Sequence, residues 1–230
     1  AKLLGLPIKG YGDYQTFGEL KFSFHHDSKE FENYRRELDL TQAVASVDYQ
    51  VGSTRYTRRY FASYPDNTIA IEFSADQANK ISFTMGLSLP DNRSVKVINL
   101  DDGLLIEGEL NDNNLGFAGG VLIKRDGGQL AIEDGSVSVK NATKVYIYLV
   151  AKTNYRQSYP DYSHPKSFAK NAVIEKLKSL ERKNSKKIFE GHVVDYQTFF
   201  NRVSLSLDEK LACYPTRQLL KNYGKNSAES

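Results

Sequence analysis

The sequence contains no tryptophan, one methionine and a single cysteine, Cys213. One cysteine excludes an intramolecular disulfide framework and any multi-cysteine zinc site. Long apolar runs are missing too: the longest, residues 145–151, is far short of the ~20 residues that a membrane-spanning helix needs. No basic-then-apolar signal segment stands before the first strand pattern, as expected whether a signal never existed or was removed on export. Charge of one sign is also scarce. The net charge is only +3, weak grounds for a nucleic-acid partner.

What remains is a globular composition with a bias. The 230 residues are 40% hydrophobic and 26% charged, enough to bury a core without staples. Fifteen tyrosines and twelve phenylalanines accompany frequent Val, Ile and Thr through the first 150 positions. Aromatic and β-branched side chains fit a pleated, half-buried surface, so this is strand chemistry.

Period-two alternation recurs along that region. Leu20, Phe22 and Phe24 share one face; Leu38 and Leu40 lie opposite Glu37 and Asp39; Ala43, Ala45, Val47, Tyr49 and Val51 form a third stripe. Gly52-Ser53 reads as a tight hairpin turn into residues 54–63. Further strands are expected around residues 69–73, 81–87, 95–100, 104–110, 117–124, 129–132 and 137–139, with turns at Pro65-Asp66-Asn67 and Pro90-Asp91-Asn92. Residues 145–151 are apolar throughout and suit a central strand covered on both faces. Roughly eleven or twelve strands without an intervening helix predict a mainly β fold, a large antiparallel β-sandwich.

After residue 165 the period changes. Ala169, Val173, Leu177 and Leu180 recur at helical spacing, Lys183-Asn184-Ser185 breaks the pattern, and Ile188, His192, Tyr196, Phe199 and Val203 form a second stripe. Residues 204–207 read as a last short strand, and Thr216 as the cap of a short helix reaching Tyr223. Charge divides at the same boundary: residues 166–225 carry 13 Lys+Arg against 6 Asp+Glu, the solvated side of two amphipathic helices or a basic docking face.

Sites of chemistry are hard to find. His25 and His26 are adjacent on a strand and point to opposite faces, so they do not share an ion. His192 and Asp195 have i, i+3 spacing, but His192 lies in the apolar stripe and reads as a packed histidine. Residues 111–122 start like a calcium loop and then place Leu115 and Leu122 at ligand positions. Gly119-Gly120 and Gly127-Gly128 match no phosphate-binding motif and read as bulge and turn glycines. No nucleophile elbow exists, and 28 acidic residues give no way to select a catalytic pair. Asn92-Arg-Ser94 and Asn141-Ala-Thr143 are formal glycosylation sequons. The most suggestive segment is the loop 154–165, with Tyr155, Arg156, Tyr159, Tyr162 and His164 together with two prolines in twelve residues. Tyrosine rings stack on sugars or fill domain interfaces. The bland reading is a crossover loop packed under the helices.

Six stretches, in order, carry a resemblance: Tyr14-Gln-Thr-Phe-Gly-Glu-Leu20, Tyr34-Arg-Arg-Glu-Leu-Asp-Leu40, Phe61-Ala-Ser-Tyr-Pro-Asp66, His192-Val-Val-Asp-Tyr196, Phe200-Asn-Arg-Val-Ser-Leu205 and Pro215-Thr-Arg-Gln-Leu-Leu220. Together they resemble the N-terminal domain of glycoside hydrolase family 95, the α-L-fucosidase and α-L-galactosidase family. The resemblance implies a many-stranded supersandwich over residues 1–165 that lacks the family's first strands. It further implies a helical linker region with a return strand over 166–207, and the start of a linker over 208–230. It implies a fragment whose partner is the (α/α)6 catalytic barrel of the same parent chain, with a fucosylated glycan as the remoter ligand and a periplasmic or secreted location. The family's acid and base lie in the barrel, so no catalytic residue, metal or cofactor is assigned to this sequence. Three functions follow as expectations: a non-catalytic sandwich domain supporting the barrel and its substrate entrance, a carbohydrate-binding module, or a purely structural interaction domain. Alone, the chain is expected to hydrolyse no glycoside.

Overall fold

A computed structural model describes residues 16–205 and 214–222. Twelve strands come first in sequence. They are β1 (Glu19–Phe24), β2 (Glu32–Asp39), β3 (Val44–Val51), β4 (Thr54–Ser63), β5 (Thr68–Ala75) and β6 (Ile81–Ser88), then β7 (Arg93–Leu100), β8 (Gly103–Leu110), β9 (Gly116–Asp126), β10 (Gln129–Glu133), β11 (Ser136–Ala142) and β12 (Lys144–Thr153). Helices α1 (Ser167–Arg182), α2 (Ser185–Phe200) and α3 (Thr216–Asn222) follow. Every strand pair is antiparallel, in a small sheet ordered β1-β6-β11-β10 and a large one ordered β2-β3-β4-β5-β12-β9-β8-β7.

The large sheet lies between two apolar layers. On one side, Phe73, Val121, Ile123, Val145 and Ile147 meet Phe83, Met85, Val137 and Val139 of the small sheet. On the other, Leu105, Leu122, Tyr148 and Val150 meet Ala169, Val173, Leu177, Leu180 and Ile188 of the helices. β12 is the middle strand that both layers require: successive side chains of its apolar run enter alternate cores, and Ile147 pairs with Ile71 and Ile123 on its neighbours. The helices belong to this body because their apolar stripe is the outer half of the second core. Burial lifts the Tyr148 phenol, under α2, to about 12.

Local signals explain the boundaries. Gly52 has φ +57 in the β3–β4 hairpin, and Asn67 has φ +45 with its N–H donating to Tyr64 O at 3.0 Å. Lys183 leaves α1 in an extended conformation, and the Asn184 side chain caps α2 by accepting from Lys186 N at 2.8 Å.

Four expectations change. β2 is exposed along nearly its whole length, Leu38 included, as is Leu40 just after it, because it is the edge strand of the large sheet. Gly127 and Gly128 do sit in a turn at φ +70 and +71, but Gly119 and Gly120 lie inside β9 and form no bulge. A Cβ on Gly119 would stand 2.7 Å from the Phe17 ring, and one on Gly120 would stand 2.7 Å from Leu177 Cδ1 and Val173 Cγ1. These two are packing glycines, one under each layer. Ser204 and Leu205 are not in a strand, and residues 206–207 lie outside the described residues. Thr216 is the first helical residue, Pro215 O accepts from Gln218 N and Leu219 N, and Tyr223 lies outside the described residues.

Candidate functional site

The tyrosine loop is built on Asn154, a buried residue at the end of β12. Its Oδ1 accepts from Gly116 N at 2.9 Å, its Nδ2 donates to His164 O at 3.1 Å, and its own carbonyl accepts from His164 N at 2.7 Å. Tyr155 bridges Ser163, and Arg156 N donates to Tyr162 O at 2.9 Å. The segment is therefore a self-bonded finger closed at its base. The His164 ring stacks on Phe168 of α1 with centroids 4.0 Å apart, which fixes the finger to the helix. At the tip, Tyr159 is 82% exposed and meets Tyr162 edge-on at 6.4 Å, with Tyr155 half-exposed nearer the base. Of the five residues singled out, Tyr155, Tyr159 and Tyr162 present ring surface to solvent. His164 faces α1, and Arg156 Nε is buried without a hydrogen-bond partner. The base packs on a helix, but the tip does not tuck under one.

Beside this finger, a cleft of about 550 Å³ lies between β7, β8 and the start of α1. Glu107 and Glu109 project into it from one face of β8, but each is engaged: Lys170 Nζ is 2.9 Å from Glu107 and Lys166 Nζ 2.7 Å from Glu109. A glycosidase acid must hold a proton in a pocket that burial makes apolar. Here two ammonium groups share the cleft, and the pairs fasten α1 to the sheet.

A second cleft of about 550 Å³ opens at one end of the sandwich, among the end of β1 and strands β3 and β4. Its floor is Arg58, whose guanidinium lies 3.7 Å from the Phe24 ring centroid and 4.8 Å from that of Tyr49, and donates to Tyr49 OH at 2.7 Å. His26 Nε2 is 2.9 Å from the same hydroxyl, and the His26 ring stacks on Phe24. Burial, then the Arg58 charge, holds the His26 imidazole below its usual value of 6.5, and Asp27 works weakly in the other direction. Burial raises the Tyr49 phenol despite its arginine neighbour. Phe31 and Tyr34, both more than half exposed, form the rim with centroids 5.7 Å apart. Sequence reasoning passed over this site. Its only signal was a charge in the alternating stripe Tyr56, Arg58, Tyr60.

The metal readings are resolved by contacts. His25 Nε2 is 3.3 Å from Thr84 Oγ1 while His26 meets Tyr49, so the two part company. His192 is buried, bonded to Gln42 O at 2.9 Å and tilted against Phe61. Among the described residues no three His, Cys, Asp or Glu side chains are grouped to hold an ion, and no helix is long and apolar enough to cross a membrane.

Residues 2–158 match the family model described as glycosyl hydrolase family 65, N-terminal domain. The chain belongs to that family. The domain type expected from the six stretches is thus found, under the number 65 where those stretches resemble family 95. "Alpha-L-fucosidase 2" of Arabidopsis thaliana is 27% identical over 90% of this chain and 27% of its own length. "Probable alpha-fucosidase A" of Aspergillus niger is 26% identical over 94% of this chain and 28% of its own. The chain thus spans little more than a quarter of these curated relatives. Among solved structures, "Putative kojibiose phosphorylase from human microbiome" superposes with a TM-score of 0.57 at 12% identity, over 78% of this chain and 27% of that one. At that identity the likeness is one of fold.

Proposed function

We propose that this family 65-type domain is the non-catalytic N-terminal β-sandwich of an α-L-fucosidase-like hydrolase of the family 95 kind, supporting a helical catalytic barrel and bordering its substrate entrance. The observation that carries the reading is the pair of fucosidase relatives, which align with nearly all of this chain over little more than a quarter of their own lengths. Their remaining length leaves room for a catalytic domain. The surface is suited to such a neighbour. Val194 and Phe199 on α2, and Val203 and Leu205 just after it, are 64–81% exposed. On α2, Phe199 neighbours Tyr196, whose hydroxyl donates to Leu40 O at 2.8 Å beside the exposed edge strand, whereas Val194 lies on the other side of the helix. Large exposed apolar side chains gathered in one region of a domain are what a docked neighbour would cover. A barrel of the same parent chain is the occupant proposed, with the tyrosine finger at its margin.

The test compares the 230-residue chain with the complete parent protein on an aryl α-L-fucoside and an aryl α-L-galactoside. Turnover is expected from the parent alone. Turnover by the short chain, abolished by a point substitution within it, would refute the non-catalytic assignment. Failure of the parent on both substrates would refute the fucosidase assignment.

A further inference from the structure

We infer that the cleft formed by the end of β1, β3 and β4 binds an anionic saccharide, a pyranose ring carrying one carboxylate or sulfate. Arg58 is the partner of the anion, and Phe31 and Tyr34 are the platform for the ring. The inference stands apart from any catalytic barrel, because this chain holds every group it names.

The charge argument comes first. Arg58 is half-buried, yet among the described residues it makes no ion pair; its partners are the Phe24 and Tyr49 rings and the Tyr49 and Tyr60 hydroxyls. Taking a guanidinium out of water without a counter-charge is costly, and the ring faces offset only part of that cost. The other polar side chains that line the cleft among the described residues add to the same sign or are neutral: Lys29, His25, His26, Ser28, Tyr34 and Tyr49, with no Asp or Glu. The nearest acid in sequence, Asp27, is turned to solvent and pairs with Lys80 at 3.3 Å. His26 Nδ1 and Arg58 Nε are both buried without a hydrogen-bond partner, which in a native interior calls for an explanation. An oxyanion is the group this lining lacks, and an arginine fork recognises carboxylate and sulfate oxygens with charge-assisted hydrogen bonds.

The rim supplies the second half. Two large rings stand more than half exposed, 5.7 Å apart, at the mouth of a cleft with a cation at its floor. A bare ion would leave them in water. The C–H face of a sugar covers such rings while its oxygens reach the arginine. A neutral sugar suits the lining less well. Its hydroxyls donate as well as accept, and among the described lining residues no carboxylate or side-chain amide oxygen receives them, only the hydroxyls of Ser28, Tyr34 and Tyr49 and the histidine rings. The occupant is also not the start of the described chain, because Thr16 and Phe17 are held by Arg93 at the opposite end of β1 from His26.

The experiment titrates the 15N-labelled chain with D-glucuronate, D-glucose 6-sulfate, D-glucose, acetate and inorganic sulfate, following amide and arginine side-chain signals. At least one anionic sugar should saturate signals of Arg58 and His26 about tenfold more tightly than glucose or either bare ion. Preference between the two sugars identifies the oxyanion. Arg58→Met should weaken that binding at least tenfold. Because Arg58 also supports the packing, Phe31→Ala and Tyr34→Ala, both on the exposed rim, are measured beside it and should each weaken binding about threefold. Glucose or a bare ion binding as tightly as the anionic sugars would overturn the proposal. So would unchanged affinity in both rim variants, or no saturable shift with either anionic sugar.

Discussion

Three glycine-to-alanine substitutions should fall in a strict order of cost, set by what each new methyl group meets. At Gly103 the Cβ would stand 1.8 Å from Val121 O and 2.8 Å from its carbonyl carbon, so backbone must move and the Gly103–Leu122 pairing of β8 with β9 opens. At Gly120 it would stand 2.7 Å from Leu177 Cδ1 and from Val173 Cγ1, the ends of two side chains that can give way if α1 rises off the sheet. At Gly86, in the middle of β6, nothing lies within 4 Å. Overpacking of a core costs about 1–3 kcal/mol, the range expected for Gly120→Ala, and Gly103→Ala should exceed it. Gly86→Ala removes backbone freedom from the unfolded chain and should stabilise by about 0.5–1 kcal/mol. In a domain of this size, 1 kcal/mol moves the melting temperature by roughly 2–4 °C. Gly120→Ala should therefore lower it by about 2–12 °C by calorimetry. Hydrogen exchange supplies the sharper readout: α1 amides should lose protection in Gly120→Ala while those of the small sheet keep theirs. If Gly103→Ala proves as mild as Gly86→Ala, or if Gly120→Ala leaves α1 as protected as before, the reading of β9 as a close-approach strand is wrong.

Lys183 pairs with Asp66, a 3% exposed carboxylate that also accepts from Ser63 Oγ at 3.2 Å, so Lys183→Met should destabilise by about 2–3 kcal/mol in urea unfolding. Adding Asp66→Asn should recover part of that loss, and a purely additive double variant would count against the pair. Because folding lowers the His26 pKa from 6.5, the unfolded chain binds more protons below that value. Its effect is absent well above pH 6.5 and becomes a growing penalty as pH falls through the window beneath it. The stability gap between wild type and His26→Gln should therefore shift in favour of the variant on acidification, and a pH-independent gap would refute this. In the complete parent protein, Tyr159→Ala with Tyr162→Ala should raise KM for an aryl fucoside or lower the temperature of domain separation. Unchanged kinetics together with unchanged melting would remove the finger from the entrance.

The twelve strands were legible because period-two alternation reports a covered face, and nine of them hold at least one fully buried residue. The residues of β2 alternate just as regularly, yet an edge strand has only one neighbour, and no pattern within eight residues says whether another layer covers it. The same limit applies to Gly119 and Gly120. A glycine pair between apolar stretches looks alike in a bulge and under a helix, and the difference lies in Phe17 and Leu177, some 100 and 60 positions away. The switch to helical period was plain, because Ala169, Val173, Leu177 and Leu180 had to meet one surface and all four are buried.

Arg58 and Arg59 show why the candidate site was harder to see than the fold. They are neighbours on one strand, so they face opposite layers, and each has at least one aromatic residue two positions away on its own face, Tyr56 and Tyr60 for Arg58 and Phe61 for Arg59. Alternation treats them alike. What separates them is partners from distant strands. Arg59 faces the helices, with a carboxylate oxygen of Glu72 at 3.8 Å and the Phe189 ring at 5.7 Å, and Lys144 shares that glutamate at 2.5 Å. Arg58 faces the other sheet, where Phe24, Tyr49 and Tyr60 supply rings and hydroxyls but no negative charge. A charge that the fold neutralises ties elements together. A charge of the same kind, one residue earlier, with no counter-ion among the described residues and at the floor of a cleft, is available to a ligand.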